Sequence, residues 1–271
     1  MQPSPNLFDH ELLAQRRTRA AGFGVEGEFL HQEIADQVSE RLQEVNKTFT
    51  DVAIIGPRTD LWTKMLGGKA VKDQETLELD AGSLDLVIHG LALHWANDPV
   101  GQLVQMRRAL KPDGLMVAAM FGGQTLNELR TSFAEAETEI EGGLSPRIVP
   151  MGEIRELGGL IQRAGFALPV ADSVNLTVTY ETPLHLMRDL RAMGETNVMI
   201  ARRKTPLRRE TLIRAMDIYA EHFSDADGRI PATFEIVFLT GWAPSETQQK
   251  PLRPGSAKAR LADALGVKEQ N

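Results

Sequence analysis

The chain predicts an α/β fold: a mostly parallel sheet with helices on both faces, closed by later antiparallel strands. Three observations carry that prediction. Short apolar runs stand at 52–55, where β-branched residues favour a strand, within 84–95, and at 115–121. A helical pattern over 98–110 sits between the last two, and a strand, helix, turn and strand at this spacing make a βαβ unit with parallel strands. Finally, extended segments at 170–180 and 233–244 follow a long helical region, where antiparallel closing strands belong.

The elements follow in order. Residues 7–21 and 29–45 read as helices, the second with Phe29, Ile34, Val38, Leu42 and Val45 on one stripe. Val52-Ala53-Ile54-Ile55 is a central strand, ended by Gly56-Pro57 because Pro57 cannot continue a ladder. A short helix over 59–66 starts near Thr59 or Asp60. LDLVIHGLALHW, 84–95, supplies a strand and its exit loop, and KPDG, 111–114, reads as a sharp turn before the strand LMVAAMF. Helices are expected over 127–141 and 151–164, with GGLSPRIVP between them, and over 183–223 with breaks at Gly194 and Pro206. The segment from Ser245, rich in Gln, Pro, Lys and Gly, is expected to be weakly ordered.

Ligands in such folds sit at the C-terminal ends of the strands, so the loops after Ile55, His89 and Phe121 should share one cleft.

Composition bounds the chemistry. The chain has 271 residues, 42% hydrophobic and 25% charged, as in soluble globular proteins. A formal charge of -7, from 37 acidic and 30 basic residues, argues against nucleic acid as a partner. The absence of cysteine removes disulfides, thiolate catalysis and Cys-ligated metals. No apolar run is long enough for a transmembrane segment, and MQPSPNLFDHELLAQRR is not a secretory signal. A cytoplasmic protein is expected, or one held at the membrane periphery through a client. The histidines form no HExxH or comparable ligand pattern, so no metal is expected. Ser83 and Ser132 lack a nucleophile-elbow context.

The stretch LDLVIHGLALHWANDPVGQLVQMRRALKPDGLMVAAMFGGQTLNELR, 84–130, resembles the later half of a class I S-adenosylmethionine-dependent methyltransferase. HWANDP and LKPDG are similar to the malonyl-carrier-protein methyltransferases of biotin synthesis. LFDHELLAQRR, AMFGGQTLNELR, AETEIEGGLSPRI, LRAMGETN and PATFEIVFLTGW resemble the methyltransferase-like assembly factors of respiratory complex I. The likeness covers nearly the whole chain to about residue 255. It implies a Rossmann-like methyltransferase fold with a shortened first half and a helical cap. On that reading, 1–50 are N-terminal helices, 51–121 and 151–182 plus 232–244 are the core, 122–150 and 183–231 cover the substrate, and 245–271 are a tail.

The resemblance implies S-adenosylmethionine as cofactor and expects a D-x-G-x-G-x-G-like turn after the first strand. Gly56 is the one glycine there, and Pro57 and Arg58 add bulk where backbone should approach the ligand. Only 28 residues separate Gly56 from Asp85, too few for a second strand, a helix and a third strand of ordinary length. Gly56, Asp73 as ribose acid, Asp80 as a weaker polar contact, His94 and Trp95 are the candidate cofactor residues. Each also has a plain reading: a strand-ending turn, solvated acids, and a packed His–Trp pair. Arg58 either repels a sulfonium or pairs with Asp60.

Phe121 and the polar Arg188, Arg191, Glu195 and Asn197 are the candidate substrate pocket, with capping and interdomain bonds as the alternative. Glu135, Glu137, Glu139 and Glu141 read as a solvated face or a site for a basic partner. Arg202-Arg203-Lys204 and Arg208-Arg209 read as solvent or protein contacts. No general base stands out. The main expectation is a methyltransferase acting on a small molecule or a protein. The alternative is an assembly factor for a complex I subunit, either non-catalytic or arginine-modifying, that retains the scaffold as a pseudoenzyme.

Overall fold

The computed structural model describes residues 6–248. Six strands form one sheet in the order β2-β1-β3-β4-β6-β5. They are β1 (Val52–Ile55), β2 (Lys69–Val71), β3 (Leu84–Gly90), β4 (Leu110–Phe121), β5 (Ala167–Tyr180) and β6 (Ile230–Trp242). β1 pairs in parallel with β2 and β3, β3 in parallel with β4, and β6 runs antiparallel to both β4 and β5. The chain leaves β1 toward one edge and returns to build the other, so the switch point lies between β1 and β3. A crevice opens there at the strand C-termini.

Side chains alternate across the sheet, as a two-residue period demands. Ile54, Ile88, Val117 and Ala119 pack on one face against α2 (Phe29–Glu44), α5 (Asn127–Glu141) and α8 (Arg209–Phe223). Ala53, Ile55, Val87, Met116 and Ala118 pack on the other against α4 (Pro99–Ala109) and α6 (Ile154–Arg163). Local sequence starts the helices. Asp98 caps α4 by accepting from the Gly101 N–H at 2.8 Å, with Pro99 in the first turn, and Asp9 caps α1 (His10–Ala21) through Leu12. α3 (Thr59–Leu66) and α7 (Pro183–Met193) complete the set.

Two expectations change. KPDG does not separate β4 from what precedes it: the strand runs from Leu110, kinked at Asp113 with φ +61° and a register shift opposite Leu84 and Leu86. The Asp113 N–H is held by the Ala243 carbonyl at 3.1 Å, which makes the turn a bulge in a paired strand. The helical region 183–223 is two helices, α7 and α8, with 194–208 irregular between them. Of the tail expected over 245–271, residues 249–271 lie outside the described residues.

Under α2, His31 is buried and its Nδ1 accepts the Trp62 indole N–H at 3.1 Å, which puts the imidazole proton on Nε2. Burial pushes its pKa down to about 4. The folded pKa lies below the unfolded one, so this contribution is present above about pH 6.5 and is lost as pH falls toward 4. Urea unfolding at pH 7.5 and pH 5 should differ by about 2 kcal/mol from this residue. His89, buried and also shifted down by burial, adds in the same direction. His31→Gln keeps an acceptor for Trp62 and should remove the His31 share; an undiminished pH dependence in that variant would contradict the assignment.

Candidate functional site

β1 is followed directly by Gly56, whose φ is +153°. A Cβ there would lie 2.5 Å from the Gly90 carbonyl oxygen at the end of β3. The close approach that requires glycine is therefore to the neighbouring strand. Arg58 does not pair with Asp60. Its buried guanidinium donates to the carbonyls of Ala192 (3.2 Å) and Gly24 (3.5 Å) and meets the Glu28 carboxylate at 3.4 Å. It ties the turn to α7 and to the 3₁₀ segment Gly24–Gly27.

Asp73 stands two residues beyond β2, at the crevice, but its carboxylate is already engaged. Oδ2 accepts from Arg17 Nη1 of α1 at 2.7 Å, and Oδ1 accepts from Gln102 at 3.4 Å and lies 3.9 Å from His89 Nε2. Burial raises the Asp73 pKa, and the surrounding His89, Arg17 and Gln102 outweigh it, so the carboxyl is held below its ordinary value. Asp80 is not part of this cluster. It is exposed, and the bonds from Gly82 to Arg108 and from Ser83 to Ala109 fix its segment at the opposite end of the parallel strands.

The exits of β3 and β4 meet as expected. His94 and Trp95 form a short 3₁₀ turn, and both rings converge on Glu195 after α7. His94 Nε2 lies 3.1 Å, and the Trp95 indole N–H donates at 2.8 Å, to the same Glu195 Oε2. The Glu195 side chain is 6% exposed. Burial raises its pKa, but His94, Arg17 and the Trp95 bond lower it by more, leaving the carboxyl below its ordinary value. Phe121 packs on His94 with centroids 4.9 Å apart.

These groups wall a cavity of about 240 Å³, lined by Trp95, Phe121, Phe133, Phe234, Arg191 and Glu195 among others. Asn197 also lines it, with its side chain bonded to the Pro146 carbonyl at 2.7 Å. Arg188 is elsewhere: it is exposed and pairs with Glu26 at 3.2 Å. On the other side of Trp95 is a second cavity of about 190 Å³, walled by Arg17, Asp73 and Gln102.

The acidic run of α5 is divided: Glu139 is exposed and Glu135 about two-fifths exposed, on the solvated side, and each of the four carboxylates has a cationic or histidine neighbour. Glu137 is buried and pairs with Arg147 at 2.5 Å; Glu139 pairs with Arg214 at 2.6 Å, Glu141 with Arg203, and Glu135 lies 3.9 Å from His222. Arg17, Gln102, Phe133 and Phe234 are site residues that sequence reasoning missed. The arginine run of α1 was the one available signal, and nothing local says which arginine turns inward.

The residues the family would use for S-adenosylmethionine do not fit that ligand in this arrangement. The glycine approach is spent on the Gly90 carbonyl, the ribose acid on Arg17, and the turn is closed by Arg58. Among the described residues, no group of three or more His, Asp or Glu is placed to hold a metal ion, and no helix is long and apolar enough to cross a membrane.

Residues 33–118 match the family described as a methyltransferase domain. The chain is 34% identical to the zebrafish (Danio rerio) protein named arginine-hydroxylase NDUFAF5, mitochondrial, over 95% of this chain and 89% of that one. It is 35% identical to the rat (Rattus norvegicus) protein of the same name, over 95% and 83%. The malonyl-[acyl-carrier protein] O-methyltransferase of Laribacter hongkongensis is 36% identical over 68% of this chain and 59% of that one. Among solved structures, YcgJ of Bacillus subtilis superposes with a TM-score of 0.50 at 12% identity, covering 79% of this chain and 99% of that one, which shows the shared fold. The expected cytoplasmic location is overturned by the NDUFAF5 relatives, which are mitochondrial by name.

Proposed function

From a chain that belongs to the class I methyltransferase-fold family holding NDUFAF5 and the malonyl-[acyl-carrier protein] O-methyltransferases, we propose a protein-client factor of the complex I assembly type. It receives an arginine side chain of its client in the Glu195 cavity and works without S-adenosylmethionine. The observation that carries this reading is the Glu195 carboxylate, held by His94 and Trp95 at one end of an aromatic-walled cavity.

Both polar bonds fall on Oε2, and Oε1 has no hydrogen-bond partner among the described residues. A guanidinium entering over Phe121, Phe133 and Phe234 would meet that oxygen and the ring faces together. The wall already accepts one such group, since the Arg147 guanidinium lies 5.5 Å from the Phe133 centroid while Glu137 balances its charge. The names of the NDUFAF5 relatives supply the arginine, and the resemblance of LRAMGETN and PATFEIVFLTGW to complex I assembly factors supplies the kind of client. The filled ribose-acid and turn positions speak for independence from the adenosyl cofactor.

Calorimetric titration tests both halves. N-acetyl-arginine amide should bind at least about tenfold tighter than the neutral citrulline amide, a difference of about 1.4 kcal/mol. S-adenosylmethionine should show no binding up to about millimolar concentration, where the standard free energy is about -4 kcal/mol. Equal binding of the two amides would sink the arginine site, and micromolar S-adenosylmethionine binding would restore a methyltransferase. In cells deprived of the protein, native gels should show less assembled NADH dehydrogenase; an unchanged complex would remove the client assignment.

A further inference from the structure

The crevice that this fold reserves for a ligand contains a cation supplied by the chain itself. Arg17 projects from α1 with its side chain 16% exposed, and Asp73, its partner at 2.7 Å, is 10% exposed. The same guanidinium lowers the pKa of both Asp73 and Glu195, so one positive charge acts on carboxylates from the two cavities that share Trp95 as a wall. Without it, the Asp73 carboxylate would stand beside His89, whose pKa burial lowers. A second buried arginine, Arg58, closes the turn after β1 against Ala192 and Gly24.

The helix that brings Arg17 is itself wedged in place. A Cβ on Gly27, in the segment that follows α1, would lie 2.2 Å from the Ala192 carbonyl oxygen of α7. A Cβ on Gly194 would be 3.3 Å from Ala20 and 3.4 Å from the Arg17 Cγ. The segment after α1 thus meets α7 with glycine-only clearance at Gly27, and α1 itself packs tightly at Gly194. Nη1 is the Arg17 donor that is used; Nε and Nη2 are buried with no hydrogen-bond partner. The site is matched by charge more completely than by hydrogen bonds.

We infer that Arg17 is an internal ligand: its guanidinium permanently fills a cation site built on Asp73, whose other oxygen Gln102 holds, in the crevice at the strand ends that this fold reserves for a ligand. This rests on the reading that the cofactor side is closed, and extends it by naming the group that closes it. Removing the side chain should therefore leave a vacant site for a small guanidinium or alkylammonium ion.

Thermal unfolding of Arg17→Ala tests this. The variant should lose on the order of 5–10 °C in Tm, because the buried Asp73 carboxylate loses its counter-ion. Guanidinium chloride at about 20 mM, against sodium chloride at equal ionic strength, should recover roughly 3 °C. The wild type and Arg17→Ala/Asp73→Asn should recover nothing. Equal recovery in the double variant, or no loss in Arg17→Ala, would overturn the inference. Should Arg17→Ala fail to fold, Arg17→Lys and Arg17→Met decide instead. The lysine keeps the charge and the methionine only the stem, so the lysine variant must melt higher. Failure of these tests leaves the wild-type titration with N-acetyl-arginine amide untouched, so the two readings fall separately.

Discussion

Gly56→Ala is expected to cost the fold about 3–5 kcal/mol, with or without any adenosyl ligand present. Two independent effects add. The native φ of +153° is one that an L-residue with a Cβ rarely adopts, and the new methyl would meet the Gly90 carbonyl oxygen at 2.5 Å. Relief is blocked on both sides. β1 and β3 are in register from Val52 and Leu86 to Ile55 and His89, so Gly56 cannot retreat without breaking the ladder. Gly90 cannot move back either, because a Cβ on it would already lie 2.7 Å from the buried Trp62 ring. Denaturant unfolding reads the outcome directly. Were this glycine a cradle for a ligand, the substitution would spare the unliganded protein and weaken only ligand binding. A midpoint unchanged in the absence of S-adenosylmethionine would therefore return Gly56 to the cofactor loop.

That contrast marks where the sequence is readable. β1, α3, β3 and α5 follow from apolar periodicity and from breakers within a few residues, so 59–66 and 127–141 coincide with α3 and α5. The convergence of the loops after Ile55, His89 and Phe121 follows from topology, which parallel pairing across a crossover helix dictates. KPDG misleads because a turn and a bulge use the same residues, and the deciding bond to Ala243 comes from far along the chain. The placement of the candidate residues was legible where it follows from topology: Trp95, expected beside the cofactor, and Phe121, Arg191, Glu195 and Asn197, expected in the substrate pocket, all line one cavity. It was illegible where a side chain chooses between partners distant in sequence. Arg58 reaches Ala192 rather than the nearby Asp60, and Asp73 is claimed by Arg17 from a helix 56 residues away. Arg188 and Arg191 share a helix, yet one turns to Glu26 and the other lines the cavity. Such choices depend on the packing of α1 and α7, and neither helix's own pattern contains them.

Glu195→Ala should have the largest effect on binding, abolishing the preference for the arginine amide and destabilising the fold by about 3–5 kcal/mol. The carboxylate is 6% exposed and accepts from two rings, so its removal leaves the Trp95 N–H and His94 Nε2 without an acceptor in a buried site. Glu195→Gln separates charge from shape. Its amide oxygen, placed where Oε2 now stands, can still accept from both the Trp95 indole and His94 Nε2. The cost to stability should then fall to about 1–2 kcal/mol, while the charge that selects a guanidinium over citrulline is gone. Trp95→Phe completes the comparison: it keeps most of the wall, including the edge-to-face contact with Phe8 at 5.3 Å, and deletes one donor to Glu195. It should weaken arginine-amide binding only slightly, since the carboxylate survives. If Glu195→Gln binds both amides as the wild type does, the carboxylate is a structural clamp on His94 and Trp95 and the client's arginine is recognised elsewhere.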